Sequence, residues 1–211
     1  MEKTDEQNER FQDLIEPIKE LFYKYGLKNL NMDELSRRLG ISKKTLYTFV
    51  KNKEELIDKV FLNEEIKLKR ISEEIGKYPI NAIEKLLKMS QLVHEEMKKI
   101  NPMIRFEMEK YYPQVFEDYV KKKRKFVYEG MKNNILQGIN EKLYRDDINV
   151  ELVATIYINS FVELHDSNIC KTLDINFLQL FEVLFENHVR AISTPAGLAF
   201  FESKKNEILE Y

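Results

Sequence analysis

From residue 31 to residue 56 the chain is written as two short helices around a glycine, followed by the start of a third. Asn31 is a good N-cap, because its side-chain oxygen can accept a free backbone N–H of the first turn. Glu34, three residues on, is placed to reach back to the Asn31 N–H as in a capping box, and Leu30 and Leu35 are spaced as a hydrophobic staple. Met32, Leu35 and Leu39 form one apolar stripe, so this helix packs on a single face. Gly40 ends it, since glycine alone takes the left-handed conformation after a helix without steric cost. Ile41 anchors the turn, and Ser42 caps a second helix over residues 43–49 with Leu46 facing inward. Asn52 caps a third helix, with Glu55 at its third position.

Two short helices joined by a glycine-containing turn predict a helix-turn-helix. The second helix of such a unit enters the major groove, its first residues nearest the base edges. Here its outward residues are Lys43, Lys44, Thr45, Tyr47 and Thr48, which offer ammonium and hydroxyl donors and a methyl to bases and phosphates. Lys51 and Lys53 follow at the start of the next helix, where ammonium groups and free N–H groups can meet phosphate together. Between Lys28 and Lys53 seven basic residues stand against Asp33 and Glu34, so this segment carries +5 in a chain of net −2. A basic head on an acidic body is an electrostatic footprint for nucleic acid.

The stretch resembles the DNA-binding domain of the TetR family of bacterial transcriptional regulators. The residues that carry the resemblance are Gly26, the helix from Met32 to Leu39, Gly40-Ile41-Ser42, Thr45-Leu46-Tyr47, and Val50 through Leu56. The resemblance implies that Tyr47 and Lys53 touch backbone phosphates and that Lys43 to Thr45 and Thr48 reach toward bases. Ser36 departs from the alanine common in the family, and Val50 from an aromatic. Neither removes a contact that DNA binding needs.

Glycine (6) and proline (5) are scarce in 211 residues, which favours long helices over sheets and predicts an all-α fold. The expected division is a DNA-binding head over residues 1–52 and a helical effector-binding and dimerisation domain over residues 53–211. Phe11, Leu14, Ile15, Ile18, Leu21, Phe22 and Tyr25 recur at helical spacing and predict a first helix behind the head, with Pro17 placed to kink it. A long helix is expected from Asn52 to about residue 76. Prolines then punctuate the body, with helices over roughly 81–99, from Pro102 to about 112, and from Pro113 to about 138. After a polar loop over 140–149, helices over 150–167 and 176–193 and a last short one from Pro195 are expected. The single cysteine, Cys170, excludes an internal disulfide framework and suits a reducing cytoplasm. The first residues are charged and no apolar run is long enough to span a membrane, so neither a signal peptide nor a membrane span is expected.

The helices over 150–167 and 176–193 carry apolar stripes wide enough to face a core on one side and a partner on the other. Two-fold pairing is physically sensible, because two recognition helices about 34–36 Å apart read successive major grooves. The candidate homodimer residues are Phe161, Phe177, Phe181, Leu184, Phe185 and His188, and the resemblance likewise implies dimerisation through the last two long helices. Residues 89–131 are rich in methionine and aromatics, which suit an adaptable effector cavity, and the resemblance implies a small-molecule effector site there. Its candidates are Phe106, Tyr119 and Tyr157, with His94 as a polar contact. Lys121 to Lys125 form a basic run that reads as a solvated helix face.

An enzyme reading finds no support. His94-Glu95-Glu96-Met97-Lys98 has a lysine where the zinc motif requires its second histidine, and no Gly-rich phosphate loop or Cys-x-x-Cys pair occurs. No catalytic residue, metal site or cofactor is expected. The reading is of a homodimeric, ligand-responsive repressor on a palindromic operator. Alternatives are a DNA binder answering to a protein partner or to no ligand, or an activator.

Overall fold

Caps and prolines cut the chain into helices close to where the sequence places them. The structure, a computed structural model, describes residues 2–99, 101, 103–166 and 176–208. Cys170 and Pro102 fall outside the described residues, as do the side chains of Glu163, His165 and Asp166. The fold is all-α: α1 (Glu2–Tyr25), α2 (Met32–Arg38), α3 (Lys43–Phe49), α4 (Lys53–Lys77), α5 (Ala82–Lys99), α6 (Met103–Tyr111), α7 (Pro113–Asn140), α8 (Val150–Asp166), α9 (Phe177–Ile192) and α10 (Pro195–Ile208). Pro17 lies inside α1, which continues to Tyr25. The last helix is 14 residues long rather than short. Among the described residues no helix is long and apolar enough to cross a membrane.

The chain packs as two compact units. Residues Met1–Arg70 and Lys99–Lys123 make the first, Ile71–Lys98 and Arg124–Tyr211 the second. Packing thus follows a different division from the 52/53 boundary by role, because α6, the early part of α7 and most of α4 share a core with the first three helices.

In the first unit, Ile15, Ile18 and Phe22 of α1 meet Leu35, Leu46, Leu56, Ile57 and Val60, with Ile104 and Met108 of α6 completing the core. A charged pair is buried among them. Lys19, 4% exposed, reaches Glu64 at 3.0 Å and Glu16 at 2.6 Å. Burial works against the charge of Lys19, but its two carboxylates outweigh this and leave its pKa raised.

In the second unit, Phe161 packs edge-on against Phe177 and Phe181 with centroids 5.7 and 5.8 Å apart. Such offset arrangements suit the quadrupoles of the rings. Phe181, Phe185, Val189 and Ile192 of α9 are buried against Ala154, Tyr157 and Ile158 of α8 and Phe201 of α10. The segment after α7 differs from the polar loop expected there. Tyr144 is buried, bridges to Ser193, and donates its hydroxyl to Asn134 at 3.1 Å. Thr194 donates its N–H to the Leu143 carbonyl at 3.0 Å, and its hydroxyl to those of Lys142 and Leu143. Polar residues cover this loop, but one aromatic pins it.

Candidate nucleic-acid interface

The helix-turn-helix is assembled by caps. Asn31 accepts the Glu34 N–H at 2.8 Å, and Ser42 accepts the Thr45 N–H at 3.0 Å. At the end of α2, Gly40 takes φ +68° and donates to the Arg37 carbonyl, while Ile41 donates to that of Ser36. This pair of bonds is a Schellman motif, which satisfies the last carbonyls of the helix and fixes the angle at which the chain leaves it. The expected capping box is half formed. Glu34 does not return to Asn31, because Arg37 and Arg38 hold its carboxylate, Arg38 at 2.6 Å. Asn52 caps α4 by accepting the Glu55 N–H at 2.8 Å, and the Glu55 carboxylate accepts the Lys51 N–H at 2.7 Å.

Leu46 and Val50 are buried and Phe49 stacks on Phe11 at 5.3 Å, which leaves the opposite side of α3 facing outward. Lys43, Lys44, Tyr47, Thr48 and Lys51 are exposed, and Thr45 is half-buried. Lys43 pairs with Asp33 at 2.9 Å, and the bond from that carboxylate raises its pKa. An exposed pair of this kind is screened by water and contributes little to stability. The Thr48 hydroxyl donates to the Thr45 carbonyl at 2.6 Å, and the Thr45 hydroxyl lies 2.8 Å from that of Ser42. Lys53 departs from this outward set. It is half-buried, its Nζ donates to the Leu27 carbonyl, and burial lowers its pKa.

One residue of this unit was not among the sequence candidates. Glu107 of α6 is 6% exposed and accepts the N–H groups of Leu27 and Lys28 in the turn before α2. Its signal was legible in principle, since an acid stands between Ile104 and Met108 on the buried stripe of α6.

The effector candidates divide between the units. Phe106, 50% exposed, and Tyr119, packed edge-on to Phe61 at 5.1 Å, belong to the first. His94, 3.7 Å from Glu182, and Tyr157, against His188 at 4.5 Å, belong to the second. No single unit holds all four. A cleft of about 250 Å³ in the second unit is walled by Lys142, Arg145, Asp147 and Thr194 and includes none of them. Of the dimer candidates, Phe161, Phe181 and Phe185 are buried in the core of the second unit, and Phe177, Leu184 and His188 are half-buried. Among the described residues, the large apolar side chains that α8 and α9 leave in water are Leu152, Ile156 and Val183, which are 59%, 64% and 61% exposed. Lys121, Lys122 and Lys125 are exposed, while Arg124 bonds to Asn159 at 3.0 Å, so the basic run is largely a solvated face. Among the described residues no group of three or more His, Cys, Asp or Glu could hold a metal ion.

Residues 14–60 match the family model of bacterial regulatory proteins, tetR family. Over 48 residues the chain is 40% identical to the uncharacterized HTH-type transcriptional regulator YhgD of Bacillus subtilis (strain 168). That similarity covers 23% of this chain and a quarter (25%) of the relative's length. Whole-chain similarity is structural. A transcriptional regulator from Cytophaga hutchinsonii superposes with a TM-score of 0.70 at 18% identity, covering 88% of this chain and 99% of that one. The regulator FadR from Bacillus subtilis, solved in complex with stearoyl-CoA, does so with a TM-score of 0.61 at 16% identity, covering 86% and 99%. Over residues 14–60 this chain is thus similar to the tetR family of bacterial regulatory proteins, and along most of its length it shares the fold of these solved regulators.

Proposed function

We propose that the chain is a homodimeric repressor that binds a palindromic operator in the cytoplasm and is released from it by a small, partly apolar effector. The observation that carries the DNA-binding part is the Ser42-capped helix α3, which turns Lys43, Lys44, Tyr47 and Thr48 outward from a core fixed by Leu46. Residues 1–52 read the operator. Lys43, Lys44, Thr45 and Thr48 face bases, Tyr47 and Lys51 face phosphates, and Lys53 stands at the edge of the set. Residues 53–211 dimerise and sense the effector, with His94 and Tyr157 its candidates in the second unit and Phe106 and Tyr119 its candidates in the first.

The dimer forms through α8 and α9. Leu152, Ile156 and Val183 supply the exposed apolar contacts, with Phe177, Leu184 and His188 at their margin and Phe161, Phe181 and Phe185 supporting them from the core. Exposed apolar side chains on two adjoining helices suit a self-complementary two-fold patch. FadR, with its acyl-CoA ligand, is a precedent for an effector that is mostly hydrocarbon. Release requires that the effector bind one spacing of the two recognition helices better than another.

Selection of bound sequences from a random DNA library tests this. A palindromic motif is the expected result. Enrichment of no motif at low or moderate salt would overturn specific operator binding and leave a chain that acts through another macromolecule.

A further inference from the structure

Leu27 is held at both of its backbone polar groups by side chains from distant parts of the first unit. Its N–H donates to Glu107 Oε2, which also accepts the Lys28 N–H at 3.1 Å. Its carbonyl accepts from Lys53 Nζ. Gly26, at φ +80°, lets the carboxylate in, since a Cβ there would lie 2.9 Å from Glu107 Oε2.

Lys53 heads α4 beside the recognition helix, where a phosphate contact is expected, yet its ammonium is turned inward to a carbonyl. That position takes it partly out of water, which lowers its pKa, and the charge of Glu107 opposes this effect. A desolvated ammonium with no counter-charge is costly, and a lysine stem is long enough to carry its head group back to solvent. The Glu107 carboxylate therefore closes the turn before α2 and keeps the inward position tolerable for Lys53.

We propose that Glu107 is a positioning residue for DNA binding: while its carboxylate sits on Leu27, Lys53 rests on the Leu27 carbonyl and is withheld from the DNA backbone, and loss of that charge releases Lys53 to a phosphate. Helix α6 then sets the DNA affinity of the head without touching DNA. This inference rests on the DNA-binding reading of the head.

The test uses the full chain, a short random-sequence duplex and the selected operator, with binding measured across a salt series. Each phosphate neutralised steepens the dependence of log K on log salt by about 0.9. Wild type is compared with Glu107→Gln, which keeps acceptors for the Leu27 and Lys28 N–H groups, with Lys53→Met, which keeps the buried stem, and with the double variant. Wild type and Lys53→Met are expected to share one slope. Glu107→Gln should bind more tightly at low salt with a slope steeper by about 0.9, and the double variant should return to the wild-type slope. Melting temperatures measured alongside separate this from damage to the fold, which lowers affinity without a slope change that depends on Lys53. A flattened slope in Lys53→Met alone, or an unchanged slope in Glu107→Gln, overturns the proposal while leaving DNA binding intact. Failure of wild type to bind either duplex overturns the DNA-binding reading and this proposal with it.

Discussion

A Cβ at Gly138 would lie 2.0 Å from Cδ2 of Tyr144, so the ring of one residue fills the space that the other leaves by having no side chain. The contact joins the last turns of α7 to the loop that follows. Replacing Gly138 with alanine gains up to about 1 kcal/mol of helix propensity. It must also displace a buried ring, and overpacking costs roughly 1–3 kcal/mol. Gly138→Ala is expected to lower stability by about 1 kcal/mol in denaturant titration. A variant as stable as wild type would show that the ring moves freely.

The Lys19–Glu64 pair should behave as a buried pair and not as surface charge. Removing one partner strands the other, at about 3–5 kcal/mol. Lys19→Ala is therefore expected to destabilise strongly, whereas Lys19→Met with Glu64→Leu should recover most of the loss. An additive double variant, as weak as the sum of its parts, refutes the coupling.

How far the sequence could be read is plain from these residues. The caps at Asn31, Ser42 and Asn52, the glycine at position 40 and the prolines act within a few residues of themselves, so their helices were legible. Polar groups with distant partners were not. Lys19 lies four residues after Ile15 and three before Phe22, on an apolar stripe, yet only the folded chain brings Glu64 to it. Glu107 and Leu27 are 80 residues apart. From its local position Lys53 reads as a phosphate ligand, and only the packed turn directs it inward. Tyr144 was hidden because its neighbours in the loop are polar. For α8 and α9, composition identified apolar helices but not which side chains point out. The rings of Tyr157, Phe161, Phe181 and Phe185 went to the core, and the aliphatic Leu152, Ile156 and Val183 to water.

Histidine 188 gives the second unit a pH dependence. Its Nε2 is buried with no hydrogen-bond partner among the described residues, and burial lowers its pKa from 6.5 to about 4. Between those values the unfolded chain binds the proton and the folded chain does not, so stability falls as pH drops from about 7 toward 4 and then levels. The span amounts to at most roughly 3 kcal/mol. The difference in unfolding free energy between wild type and His188→Gln, measured across this range, should change by that order. A constant difference contradicts the assignment.

On the DNA face, Tyr47→Ala is expected to weaken binding to all sequences alike, because phosphate contacts carry no sequence information. Lys43→Ala and Thr48→Ala should instead alter the motif recovered by selection. The same motif from Thr48→Ala rules out a base contact by its methyl.

Exposure decides which substitutions report on dimerisation. Ile156→Asp and Val183→Asp place a charge on side chains already in water, so each should give a folded monomer by light scattering with an unchanged circular dichroism spectrum. Phe181→Asp buries an unpaired carboxylate in the core and should unfold the second unit. Persistence of the dimer in Ile156→Asp and Val183→Asp together moves the interface elsewhere.

The shared core of the first unit limits how such a protein can be recombined. A chimera cut after residue 52 carries the recognition helix to a new body but leaves behind Leu56, Ile57 and Val60, as well as Ile104, Met108 and the carboxylate that closes the turn at Leu27. Leu35 and Leu46 would then face whatever the recipient supplies. A head exchanged between relatives keeps its shape only if residues 53–70 and 99–123 travel with it.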